Sequence, residues 1–211
     1  MIKYIFFDVS GTLLTKPVLY HKIQEALEQF GFLVPLNELK FKHKLLSEII
    51  HFPDQTNKEF YKNFNAELLR TLGILPDDAL LEEIFTKCTY LPWEKFEDTE
   101  ILKQLNIPIG IISNFNITLR EKIEHFFGKI FANILVSEEL GIAKPNIEFY
   151  QKALQTIEYK AKEVLYIGDS IKLDIEPATK IGLKTLLIDR DNFYCSSKYK
   201  ITNLAEITNH L

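Results

Sequence analysis

Short, continuously apolar runs alternate with helical stripes along much of the chain. Tyr4-Ile5-Phe6-Phe7 is a run of the kind that forms a strand buried on both faces. Comparable runs occur at residues 107–112, 132–136, 164–167 and 183–188, and helical patterns fill the gaps at 99–105, 117–127, 147–157 and 177–181. Regular alternation of this kind predicts an α/β fold with a parallel sheet. Pro177 sits where the last of these helices should begin and Gly182 where it should stop.

Residues 16–90 follow a different pattern. Leu19, Ile23, Leu27 and Phe30 fall at helical spacing, as do Phe60, Phe64, Leu68 and Leu72; Leu39, Leu45, Leu46 and Ile49 do so less regularly. Gly31, Pro53, Gly73 and Pro76 punctuate the stripes, and no strand-like run interrupts them. An all-helical module inserted after the first strand is therefore expected, with Leu91-Pro92-Trp93 as the return hinge.

Composition narrows the class. The 211 residues are 46% hydrophobic and 26% charged, which suits a packed globular protein. A net charge of −4 without a Lys/Arg block argues against nucleic acid as a partner. No apolar segment reaches membrane-spanning length, and Asp8 cuts the first run too short for a signal peptide, so a cytoplasmic protein with no membrane partner is expected. Cys88 and Cys195 are unpatterned, and His21, His43, His51, His125 and His210 lack ligand spacing.

Open parallel sheets bind ligands beyond the carboxyl ends of their strands, where this sequence places Asp8, Ser113-Asn114 and Gly168-Asp169-Ser170, with Lys144 in the loop after the third core strand. Carboxylates, a hydroxyl and an ammonium on one edge suit a divalent cation and a phosphoryl group. Each residue also has a plainer role. Asp8 could start a turn with Ser10 and Gly11, and Ser113-Asn114 could cap the next helix. Lys144 could be a solvated loop lysine, and Asp169 or Asp174 could cap the helix after them. Asp189 and Asp191 read as part of a surface turn.

Four segments in this order, D-V-S-G-T-L (8–13), I-I-S-N-F (111–115), A-K-P-N (143–146) and Y-I-G-D-S-I-K-L-D-I (166–175), resemble the motifs of the haloacid dehalogenase-like hydrolases with a helical cap. The resemblance implies a Rossmann-like core of residues 1–15 and 91–211, a helical cap of residues 16–90, and a small phosphorylated substrate. It makes Asp8 the nucleophile and shares Mg2+ between Asp8, the Ser10 carbonyl and Asp169, with Asp174 in support. Ser113 and the Asn114 amide would bind the phosphoryl oxygens, and Lys144 would neutralise charge on nucleophile and phosphate.

One position departs from that pattern. Phosphatases of this family usually carry a second aspartate where this chain has Ser10, and that residue protonates the leaving oxygen. Losing a positioned acid typically costs on the order of 10²–10⁴-fold in rate. The readings are a slow or specialised phosphatase, a protein that binds a phosphorylated ligand without much turnover, or a dehalogenase or phosphonatase. Asp169 and Asp174 weigh against a metal-free dehalogenase. Among Lys22, Lys40, Lys42, Lys44, Lys58 and Lys62, none is singled out as a phosphonatase Schiff-base lysine.

Overall fold

A computed structural model describes residues 1–50, 57–195 and 199–211; Pro53 and His51 lie outside the described residues. The chain begins with β1 (Tyr4–Phe7), passes through a tight loop to β2 (Leu14–Thr15), and enters helices α1 (Leu19–Gln29), α2 (Leu36–Ile49), α3 (Lys58–Thr71) and α4 (Asp78–Cys88). It returns through β3 (Glu94–Lys95), which pairs antiparallel with β2 so that Thr15 faces Glu94. Alternation follows: β4 (Ile109–Ser113), α5 (Leu119–Phe127), β5 (Phe131–Val136), α6 (Ser137–Leu140), α7 (Ile147–Gln155), β6 (Val164–Gly168), α8 (Glu176–Lys180), β7 (Lys184–Ile188) and β8 (Lys200–Ile201).

Two compact units result, Met1–Thr15 with Glu94–Leu211, and Lys16–Trp93. In the first unit, β5-β4-β1-β6-β7-β8 form a sheet whose neighbours all pair in parallel. Strand order reverses at β1: the chain builds outward to β4 and β5 on one side, and to β6, β7 and β8 on the other. Such a switch point leaves a crevice at the carboxyl ends of the strands, and Asp8 is the first residue beyond β1. All four residues of β1 are buried. On one face Tyr4 and Phe6 pack with Ile112, Phe149, Tyr150, Tyr166 and Ala178, which explains why this run carries no polar alternation.

The second unit has its own core. Ile23, Ala26 and Leu27 of α1 join Leu39 and Leu46 of α2, Phe64, Leu68 and Leu69 of α3, and Leu80, Leu81 and Ile84 of α4. Asn57 and Asp77 start α3 and α4 by accepting backbone N–H groups of Phe60 and Ala79 at 2.8 and 2.9 Å, so two otherwise orphaned helix-end donors are satisfied. His43 packs edge-on against Tyr20 and Phe64, and burial pushes its imidazole down to about 4. It is thus a neutral, half-buried packing residue.

Several expectations shift. Phe30, Leu45 and Ile49 are exposed although they sit on the predicted stripes; α2 buries only Leu39 and Leu46, one narrow face. Residues 97–104 wind as 3₁₀ turns rather than an α-helix. β5 is only partly buried because it forms one edge of the sheet. Asp189 is buried, not part of a solvated turn: it accepts the N–H groups of Phe193 and Tyr194 at 2.9 and 2.8 Å and faces the Lys200 ammonium at 3.1 Å. No helix among the described residues is long and apolar enough to cross a membrane.

Candidate functional site

Parallel pairing brings the chemistry-bearing residues to one edge. Phe7 lies opposite Ile111 of β4 and Ile167 of β6, so Asp8, Ser113 and Gly168-Asp169 leave the sheet side by side. The Asp8 N–H donates to the Ile167 carbonyl at 2.8 Å, extending the ladder by one residue. The chain then folds back on itself, with the Val9 carbonyl accepting from Leu13 and Leu14, both at 2.8 Å. Gly11 makes this turn with φ +82°, and a Cβ there would lie 2.4 Å from Asp169 Oδ2. A side chain is therefore excluded twice, by backbone conformation and by the carboxylate behind it. Ser10 stands exposed on this loop and bridges to Leu14.

Lys144 enters from the loop before α7 and is 3% exposed. Its Nζ lies 2.5 Å from Asp8 Oδ1 and 2.7 Å from Asp174 Oδ1, bridging two buried carboxylates. Asp174 is engaged at both oxygens: Oδ2 accepts the Ser170 N–H at 3.0 Å, and Oδ1 also accepts the Tyr166 hydroxyl at 2.9 Å. Ser170, not Asp169 or Asp174, caps the turn that follows by accepting the Leu173 N–H. The plainer roles for Lys144 and Asp174 are excluded by this packing. Asn114 does not cap α5 either. Its side-chain amide donates to the Lys144 carbonyl at 3.0 Å and accepts the Lys144 N–H at 2.7 Å, clamping the lysine's backbone across 30 residues of sequence.

Gly168 leaves room for this arrangement. A Cβ at that position would fall 2.4 Å from Asp174 Cγ. Gly168→Ala should therefore displace Asp174 and release Lys144. We expect it to lower the melting temperature and weaken divalent-cation binding, measurable by thermal unfolding with and without cation. A variant indistinguishable from wild type in both would mean that Asp174 has slack the close contact denies.

The electrostatics follow from burial and crowding. Burial pushes the Asp8 carboxyl up to about 7; Asp174 and Asp169 add to the rise, and Lys144 opposes it. Burial disfavours the Lys144 ammonium as well, but the carboxylates of Asp174 and Asp8 outweigh it and hold the lysine protonated. Asp8, Asp169 and Asp174 each offer an oxygen within 4.8 Å of the others. Three carboxylates this close together form a donor set suited to a hard divalent cation. Ser113 adds a different feature. It is 2% exposed, and its hydroxyl has no hydrogen-bond partner among the described residues. A buried hydroxyl without a partner is costly and is available to a ligand oxygen at the strand end.

Sequence reasoning missed Tyr166, which holds Asp174 from inside the sheet, and the side-chain role of Asn114. Tyr166 lies three residues before Asp169 within an apolar run, and its phenol was the only polar signal there.

A family model described as haloacid dehalogenase-like hydrolase matches residues 2–182. The chain is 31% identical over 227 residues to a glyceraldehyde 3-phosphate phosphatase of Methanocaldococcus jannaschii, covering 98% of this chain and 96% of that one. It is 27% identical over 213 residues to a protein of the same name from Methanopyrus kandleri, covering 92% and 86%. Among solved structures, the HAD-hydrolase YfnB of Bacillus subtilis, bound to magnesium, aligns with a TM-score of 0.66 at 21% identity, covering 100% of this chain and 98% of that one.

Proposed function

The chain belongs to the haloacid dehalogenase-like hydrolases, and on that premise we propose that it is a Mg2+-dependent phosphatase of a small phosphorylated metabolite, acting through Asp8. The observation that carries this reading is the buried Lys144 ammonium bridging Asp8 and Asp174, at the strand edge that also holds the buried Ser113. Asp8, Asp169 and the Ser10 carbonyl would hold Mg2+, with Asp174 in support; bound there, the ion would offset the charge of the phosphoryl group. The magnesium of the Bacillus subtilis protein accords with that choice of ion.

In the proposed reaction an Asp8 oxygen attacks phosphorus, the bond from phosphorus to the ester oxygen breaks, and the phosphoryl group becomes an acyl phosphate on Asp8. The leaving oxygen takes its proton from solvent, since Ser10 is no acid near neutrality. Water then attacks phosphorus, which releases inorganic phosphate and restores the carboxylate. Ser113 and the Asn114 main-chain N–H donate to the phosphoryl oxygens, while Lys144 offsets the charge that accumulates between nucleophile and phosphate.

The test is phosphate release from an aryl phosphate, with Mg2+ present and then chelated. Glyceraldehyde 3-phosphate, the substrate in the relatives' name, should come first among metabolites. No release above the Asp8→Asn background across a broad ester panel would sink the phosphatase reading. Ser10 favours one competing reading, a protein that binds a phosphorylated ligand and turns it over little. Saturable ligand binding without release would support that alternative.

Proton linkage gives a second check. With Asp8 pushed up to about 7, a cation binding below that pH must displace a proton. Mg2+ affinity should be level above about pH 8 and fall by up to roughly tenfold per unit below pH 7. Titration calorimetry across pH 6 to 8 reads the slope, and a flat profile would remove Asp8 from the cation site.

A further inference from the structure

Arg190, two residues beyond β7, bonds through all three guanidinium nitrogens. Nε donates to the Gly11 carbonyl at 3.3 Å and Nη2 to the Thr12 carbonyl at 2.7 Å. The adjoining Nη1/Nη2 end grips Asp98 with two bonds, Nη1 to Oδ2 at 2.7 Å and Nη2 to Oδ1 at 3.0 Å. The plane lies over Phe96, with the central carbon 3.7 Å from the ring centroid. Asp98 is itself fixed, because Oδ2 also accepts the Leu204 N–H at 2.8 Å. Phe96 is fixed as well, its N–H donating to the Leu13 carbonyl at 3.1 Å.

These contacts converge on the loop that presents Asp8. Thr12 is the joint: its carbonyl is held by Arg190, and its hydroxyl donates to Asp8 Oδ2 at 3.4 Å. A lysine could not replace this group, since a single ammonium cannot span two carbonyls, grip a carboxylate through two bonds and place a planar cation over a ring. A clamp used only to hold β7 in the sheet would have no need to bond the carbonyls of Gly11 and Thr12, which belong to a different strand's exit loop.

We propose that Arg190 is a positioning residue for the reactive loop: through the Gly11 and Thr12 carbonyls it sets where Asp8 and the Ser10 carbonyl stand. The proposal rests on the reading of Asp8 as the reactive carboxylate, but its first readout does not. In Arg190→Ala, amide hydrogen exchange at residues 11–14 should accelerate by tenfold or more, while β1 and β6 keep their protection. The same variant should weaken Mg2+ binding by tenfold or more. Where turnover is measurable, kcat should fall at least tenfold with KM changed less than threefold, and millimolar ethylguanidinium should restore part of it. Arg190→Lys should remain impaired.

Unchanged exchange at residues 11–14 and unchanged Mg2+ affinity in a folded Arg190→Ala would overturn the proposal. So would a loss confined to global stability, with kcat intact. If Arg190→Ala proves too unstable, Arg190→Gln keeps one donor pair for the carbonyls and gives up Asp98; it should show the same signs at smaller amplitude. Should wild type show no turnover at all, the phosphatase reading fails while the exchange and cation measurements still decide the role of Arg190.

Discussion

Asp8→Asn is expected to abolish phosphate release and, without divalent cation, to leave the fold at least as stable as wild type. The first half follows from chemistry. An amide has no free carboxylate to attack phosphorus, and loss of a covalent nucleophile should reduce turnover by at least on the order of 10³-fold. The second half follows from the sign of the Asp8 shift. Its carboxyl sits at about 7 when folded, above the ordinary value of 3.8. Between those two pH values the folded state holds a proton that the unfolded state has released. Stability contributed by Asp8 is therefore fully present below about pH 4 and falls as pH rises toward 7, by roughly 1.4 kcal/mol per unit. Asparagine carries no such penalty, and Lys144 keeps Asp174 as its partner. Thermal unfolding of both proteins at pH 5 and pH 8 should show the variant gaining on wild type as pH rises. A variant that loses turnover but also melts well below wild type at pH 8 would mean that the Asp8–Lys144 pair stabilises the fold, contrary to the crowding argument.

Ser10→Asp is expected to raise turnover of alkyl phosphates by on the order of 10²-fold or more, within the range of a positioned general acid. The exposed position of Ser10 leaves space for the longer side chain, and its backbone is free of the positive φ that constrains Gly11. Leaving groups should reveal the cause. Wild type should depend steeply on leaving-group acidity and favour aryl over alkyl phosphates, whereas the variant should flatten that dependence. Equal slopes in the two proteins would show that protonation of the leaving oxygen does not limit the reaction, and the slow-phosphatase explanation would fall.

The site residues that sequence made legible share one property: they stand where a strand stops. Asp8, Ser113 and Asp169 each follow an apolar run, so the parallel sheet alone predicts a common edge for them. Lys144 was legible as a loop residue after the third core strand and Asp174 only through the resemblance of its segment, and their mutual contact depends on folding. Arg190, Tyr166 and the Asn114 side chain were not legible. Arg190 and Asn114 act on partners far away in sequence, Thr12 and Lys144, and local pattern contains no record of such pairs; Tyr166 acts on Asp174 nearby, but its phenol sits in a run that reads as plain core. Asp189 was misplaced for a different reason: its partners Phe193, Tyr194 and Lys200 are close in sequence, but only folding shows that they bury and satisfy the carboxylate. β8 was missed because two residues cannot establish a period. Leu45 and Ile49 were overcounted because helical spacing reports which residues share a face, not whether that face is covered.

The short ribbon of β2 and β3 has a consequence for how such a protein can diversify. With Thr15 opposite Glu94, the seventy-eight residues of the helical unit, Lys16–Trp93, depart and return at one spot, as the turn of an ordinary hairpin would. To the sheet, that whole unit is a single oversized turn. A change in the length of that unit leaves both ends of the ribbon in place, and with them the strand ends that carry Asp8 and Asp169.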